Sequence, residues 1–210
     1  MREELVAPRR RRRSLGHPGQ PTGPMDAPNT VWTADFKGQF KTGDGRYCDS
    51  LTVIDGYSRH LLACEGLSGV THAASWPVFE HLFRTVGLPE RIRTDNGVPF
   101  ATSALGRLSQ LSVWWIKLGI TPELIEPAHP QQNGRHEPLH KTLKAEATKP
   151  PAHTAGGQQR RLHVFRREFN EERPHEALGG DTPASYYHRS ARSYPAQLTD
   201  PEYPAHFEVR

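Results

Sequence analysis

A mixed α/β fold, with a five-stranded sheet and helices in the order βββαβαβα, is predicted by three observations. Three strand-like runs follow one another from Val31, VWTADFKGQF, RYCDSLTVID and RHLLACEGL, separated only by turn residues. After them the apolar spacing changes to that of amphipathic helices. Between those helices stand two short segments, ERIRTD and TPELIEP, of a length suited to strands. Strands followed by alternating helices and strands define a mixed class rather than an all-β one.

Each element follows from its residues. Gly43, Asp44 and Gly45 make the first junction and Gly56, Tyr57 and Ser58 the second, so the first three strands form an antiparallel meander. Val78, Phe79, Leu82, Phe83 and Val86 form the stripe of a first helix, with Trp76 and Pro77 expected in its first turn. Gly87 to Pro89 ends it, and ERIRTD supplies the fourth strand. Leu105, Leu108, Leu111, Trp115 and Leu118 mark a second helix capped by Gly119. TPELIEP is the fifth strand, and after the loop PAHPQQNG a third helix carries His136, Leu139, Leu143 and Ala147. A break at residues 149–157, rich in Pro, Ala and Gly, precedes a fourth helix with Leu162, Phe165 and Phe169 on one face.

With 210 residues and 35% hydrophobic content, one ordinary core plus tails is expected. Three segments are delimited: a basic flexible arm at 1–30, a core at 31–149, and a C-terminal helix and tail at 150–210 that extends the core. The arm carries the run Arg9 to Arg13 and then a Pro/Gly-rich stretch. A solvated tail and an arm along nucleic-acid phosphates are both compatible with it. The net charge is only +4, but twelve histidines and a pI of about 9.2 tilt the surface toward a polyanion. Cys48 and Cys64 form no CxxC pair, which excludes a four-thiolate zinc site and a disulfide framework and fits a reducing cytoplasm. No apolar run approaches a membrane span, and the arginine-rich start lacks the apolar stretch of a signal peptide, so a protein with no membrane partner is expected.

Three acids stand in contexts suited to a hard divalent cation. Asp35 lies in a strand among Trp32, Ala34 and Phe36, where an uncompensated carboxylate is costly; pairing with Lys37 is the bland alternative. Asp95 precedes Asn96 and Gly97 at the carboxyl end of a strand, a usual place for ligands in open α/β sheets, although in isolation it reads as a turn residue. Glu137 opens the third helix, with His140, Lys141 and Lys144 three, four and seven residues on, a row able to follow a phosphate backbone. A salt-bridged surface helix would show the same pattern. Three carboxylates could hold two ions that activate an attacking oxygen and stabilise a leaving one. The competing acids Asp44, Asp49 and Asp55 sit at turns or a strand start and read as structural.

Assembled, these segments resemble the integrase catalytic core of retroviral integrases and bacterial insertion-sequence transposases. The likeness rests on DFKG around Asp35, LTVIDGYSRHLLAC, GLPERIRTDNGVPF around Asp95, LGITPELIEPAHPQQNGRHE up to Glu137, and FNEERPHEALGGDTPASYY. The tail with Arg173, Pro174, His175, Leu178 and Pro183 is typical of the insertion-sequence branch. The resemblance implies a ribonuclease-H-like fold and a D,D,E polynucleotidyl transferase for DNA integration and transposition. Asp35, Asp95 and Glu137 would be its catalytic residues and metal ligands, holding two Mg²⁺ ions, with Mn²⁺ as a substitute. It further implies DNA contacts from Asn96, Gln132, Asn133, Gly134, Arg135, His136, His140, Lys141 and Lys144. Element ends and target DNA are the implied partners, and a homo-oligomer in a synaptic complex is the implied assembly. The protein would be cytoplasmic, and associated with the nucleoid when bound to DNA.

Two departures shape the alternative, a catalytically impaired DNA-binding remnant. The helix-turn-helix region with which such transposases recognise element ends has no counterpart before Asp35. Pro138 stands where an arginine is common; within a first helical turn it is tolerated, and one residue deeper it would distort the site.

Overall fold

The computed structural model describes residues 24–103, 107–126 and 136–198. Its elements are β1 (Val31–Lys41), β2 (Tyr47–Asp55), β3 (Leu61–Leu67), α1 (His72–Val86), β4 (Arg91–Thr94), α2 (Gln110–Lys117), β5 (Thr121–Leu124), α3 (His136–Glu146), α4 (Ala155–Glu171) and a short α5 (Pro183–Tyr186). The sheet order is β3-β2-β1-β4-β5, with β1 in the centre. β1–β2 and β2–β3 pair antiparallel, as the turn residues predict, while β4 and β5 add parallel to β1.

Alternation along the strands sorts residues onto two faces. Trp32, Ala34, Leu51 and Val53 join Phe79, Phe83, Leu111 and Trp115 in a core beneath α1 and α2. Ile54, Leu61 and Cys64 face the other way and meet Leu139, Leu143, Leu162, Phe165 and Phe169 of α3 and α4. Thr33 and Asp35 share this second face of β1, and that decides what α3 can touch.

Two helix starts differ from expectation. α1 begins at His72, because Thr71 caps the Ala74 N–H and accepts the Ser75 N–H and hydroxyl on its carbonyl. Pro77 is therefore sixth in the helix rather than in its first turn. The carbonyl it leaves without a donor belongs to Ala73, and both residues are exposed, so water can take that place. α2 begins at Gln110, where Ser109 and Ser112 form a reciprocal capping box. Leu108 lies before it, in a β-bridge to Ala101, and Leu105 is outside the described residues.

The segment after α3 is built into the fold. The Gln158 side chain accepts from Ala152 N–H and donates to the Ala147 carbonyl, and Gly43 and Asp44 donate to Ala152 and His153. Along α4, Gln159, Arg166 and Asn170 reach the exposed edge of the sheet. They bond the backbone of Leu61, Leu62, Cys64 and Gly66 on β3, closing an edge that would otherwise offer itself to another strand. The tail motif also serves packing: Arg173 pairs with Glu146 at 2.5 Å, His175 lies edge-on to Phe169, and Pro183 is buried. Further on, Tyr187 donates to Asn29, and Arg192 bonds Pro89, Leu118 and Gly119.

Candidate active site

The parallel register of β1 with β4 builds the site. Ala34 stands beside Thr94 in the last pair of the parallel ladder, so the next residues, Asp35 within β1 and Asp95 just past the carboxyl end of β4, emerge together where that ladder stops. Asp95 curls back over its own turn: its carboxylate accepts the Gly97 N–H at 3.1 Å, and a Cβ on Gly97 would lie 3.2 Å from Asp95 Oδ2. A side chain at position 97 would press on the carboxylate, which explains the glycine. Asn96 donates from Nδ2 to the Ile125 carbonyl at 2.8 Å and ties this turn to the end of β5.

Electrostatics set these two acids apart. Burial, and then the neighbouring Asp95, push the Asp35 carboxyl up to about 7, against lesser opposition from the Phe36 N–H and Lys37. Burial also raises Asp95. Among the described residues no lysine or arginine pairs with either acid, so the bland alternative of a bridge to Lys37 is not what compensates Asp35. Two desolvated, mutually repelling carboxylates form a hard-oxygen donor set that a divalent cation would relieve.

α3 covers the β1/β2 face beside them. Glu137, in its first turn, is exposed, and Pro138 stands third in the helix, within the turn where proline is tolerated. His136 turns inward: it is 1% exposed, with Nδ1 3.1 Å from Thr52 Oγ1 and Nε2 2.9 Å from Thr33 Oγ1. This corrects its expected place at DNA, because neither ring nitrogen is left to face a ligand. His140 is also buried, with Nε2 3.0 Å from Thr52 Oγ1 and Nδ1 3.9 Å from Asp35 Oδ2. It faces the acid site rather than solvent. Burial and the neighbouring His140 lower His136 to about 3, and burial with Lys37 lowers His140 to about 4, so both rings are neutral near pH 7. Lys141 and Lys144 are exposed on the outer side of α3. Gln132, Asn133, Gly134 and Arg135 lie outside the described residues, as does the arginine run of the arm.

Asp35, His136 and His140 come together, although in the sequence only the acids read as metal ligands and the histidines as DNA contacts. The signal available was the spacing HEPLH, two histidines four apart flanking a glutamate, which elsewhere holds zinc on a helix. Here both nitrogens of the first imidazole are taken by threonines, so that three-ligand reading fails. The acids ranked as structural are so: Asp55 accepts from Asn29 and Ser58, Asp44 from Thr42 and Arg46, and Asp49 from Gln39.

A sheet of this order with two carboxylates at the ends of its parallel centre defines an α/β core of the ribonuclease-H-like class. Two models of the integrase core domain match the chain, one over residues 25–130 and one over 118–183. The chain belongs to the integrase core domain family, the polynucleotidyl transferases that its motifs resemble. It is 30% identical over 207 residues to an uncharacterized 31.7 kDa protein of insertion element IS407 from Burkholderia multivorans, covering 95% of this chain and 71% of that protein. An uncharacterized 39.2 kDa protein of insertion element IS476 from Xanthomonas euvesicatoria is 29% identical over 160 residues, 76% of this chain and 44% of that protein. The HTLV-2 integrase catalytic core domain, solved in complex with magnesium in a dimeric form, shares the fold with a TM-score of 0.58 at 16% identity, over 77% of this chain and 98% of that one. Among the described residues no helix is long and apolar enough to cross a membrane.

Proposed function

We propose that this chain joins DNA ends to target DNA by metal-dependent strand transfer, with Asp35, Asp95 and Glu137 as its catalytic residues and metal ligands. The observation that carries the reading is the pair Asp35 and Asp95, delivered side by side by the β1/β4 register and without cationic partners among the described residues. Glu137 is assigned to the set from the family motif, and its support is its place in the first turn of α3, the helix whose His140 lies 3.9 Å from Asp35. The donor set fits two Mg²⁺ ions, or Mn²⁺ in their place. Such ions supply the positive charge that an in-line displacement at phosphorus requires.

In the reaction a 3′-hydroxyl oxygen attacks a target phosphorus, a new P–O bond forms, and the target's own P–O3′ bond breaks to leave a free 3′-hydroxyl. The contribution of this chain is to hold the two aspartates side by side, Asp35 on the central strand β1 and Asp95 just past the end of β4. Exposed Lys141 and Lys144 supply phosphate contacts along α3, together with Gln132, Asn133, Gly134 and Arg135 from the preceding loop. Asn96 acts by bracing the Asp95 turn. Residues 31–149 are read as the core and 150–210 as its extension, a reading supported by the bonds that Gln159, Arg166, Asn170, Ser190 and Arg192 make to β3, α1 and the loop after α2. Element ends and target DNA are the partners, and a homo-oligomer assembles the synapse, in keeping with the dimeric form of the HTLV-2 core.

With purified protein, Mg²⁺ or Mn²⁺ and DNA bearing the element's ends, joined products should form, and Asp95→Asn should abolish them. Joining that is unchanged by that substitution would sink the proposal. Against the impaired-remnant reading stands the place of Pro138, third in α3, where proline is tolerated.

A further inference from the structure

The hydroxyl of Thr52 fixes the proton of His140. Its Oγ1 lies 3.1 Å from the Asp35 carbonyl, 3.1 Å from His136 Nδ1 and 3.0 Å from His140 Nε2. A carbonyl can only accept, and a hydroxyl has one proton and two lone pairs. One allocation satisfies all three contacts: Thr52 donates to the carbonyl and accepts an N–H from each imidazole. His136 is then protonated on Nδ1, and its Nε2 accepts from Thr33, 2.9 Å away, which completes the chain. His140 is protonated on Nε2, and its Nδ1 lone pair is left on the side of Asp35 Oδ2, 3.9 Å off.

We infer that His140 Nδ1 is a ligand of the cation held by Asp35, and that this nitrogen makes the site prefer Mn²⁺ to Mg²⁺. The inference rests on the reading of Asp35 as a metal ligand. Two donors on one octahedral ion about 2.1 Å from each lie about 3 Å apart when adjacent and about 4.2 Å when opposite, so the observed separation falls within reach of small side-chain adjustments. The support behind the ring follows the usual pattern for a ligating histidine, whose second nitrogen donates to a fixed acceptor. Here that acceptor is the Thr52 hydroxyl, anchored in turn to the backbone of Asp35, so ligand and acid are braced as one unit. Mg²⁺ binds oxygen and seldom imidazole, whereas a mixed carboxylate and imidazole set gains affinity along the transition series. His136 adds no ligand, since both its nitrogens are engaged.

The test is pulsed EPR of Mn²⁺ bound to the full chain, read for ¹⁴N modulation and paired with Mn²⁺ and Mg²⁺ affinities. Wild-type protein should show imidazole nitrogen coupling. His140→Asn should lose it, with Mn²⁺ affinity falling at least about tenfold and Mg²⁺ affinity by much less. Bound Mn²⁺ without nitrogen coupling, coupling that survives His140→Asn, or equal losses for the two ions would overturn the inference while leaving the acid site standing. Mn²⁺ binding untouched by Asp35→Asn would overturn the acid site itself. NMR of the metal-free wild type needs no variant: the His140 ring should be protonated on Nε2, and protonation on Nδ1 contradicts the argument.

Discussion

Asp35 and Asp55 stand on the same antiparallel ladder, one opposite Thr52 and the other opposite Trp32, yet they are treated in opposite ways. Asp55 is wholly buried and fully answered: Oδ1 accepts the Asn29 N–H at 2.7 Å, and Oδ2 accepts the Ser58 N–H and hydroxyl at 2.8 and 2.6 Å. Asp35 is less buried, but among the described residues it accepts only the N–H of the next residue, at 2.8 Å, and faces a second carboxylate. The difference teaches that burial alone does not mark a structural acid. What separates the two is whether the chain supplies the donors itself or leaves them to a ligand.

The comparison can be broken or sharpened by exchanging what each acid has. The largest effect is expected in catalysis: Asp35→Asn should lower strand transfer about 1,000-fold or more, on the order of 4 kcal/mol in the barrier, with little loss of folded protein. An equal loss from unfolding, seen by circular dichroism, would erase the distinction. Asp55→Ala should do the reverse and destabilise the domain by about 3 kcal/mol in urea melts, because buried donors from Asn29 and Ser58 lose their acceptor.

The third prediction concerns pH. Asp35 is raised in the folded state to about 7 from an ordinary 3.8, so the folded protein holds that proton more tightly than the unfolded chain. Its charging therefore costs stability progressively as pH rises from 3.8 to 7, and the cost is absent below that window and constant above it. In metal-free buffer Asp35→Asn should stabilise the domain by about 1 to 3 kcal/mol at pH 8, and by nothing at pH 3.5. Thermal melts across that range check the sign. Ser58→Ala, which removes one of the three bonds to Asp55, should cost about 1 kcal/mol. The smallest effect belongs to Pro138→Ala, within about 0.5 kcal/mol, since a first-turn proline breaks no helical bond.

Much of the fold was legible because periodicity and turn chemistry agreed, as in the meander from Val31 to Leu67. The start of α1 was not, since Thr71 caps the helix seven residues before the apolar stripe opens at Val78, and Pro77 drew attention to the wrong turn. Leu108 fitted a helical stripe by spacing, but the capping box at Ser109 stopped the helix short of it. Within the site, Asp35 and Asp95 were legible from their local contexts. Their adjacency was not, because it depends on which strands pair and in what register. His140 read as part of a basic row and His136 as a DNA contact implied by the resemblance, and only Thr33 and Thr52, far off in sequence, turn them into buried neighbours of Asp35. The RPH tail carried a family likeness whose physical content, the bonds of Arg173 and the edge-on contact of His175 with Phe169, required α3 and α4 to be placed first.

Calorimetric titration of the metal-free protein with Mn²⁺ at pH 7, in two buffers of different protonation enthalpy, tests most directly whether Asp35 waits for a cation. Binding should release about half a proton, drawn from a carboxyl near its midpoint, and should vanish in Asp35→Asn. Binding of equal strength in that variant, with no proton released by the wild type, would contradict the account.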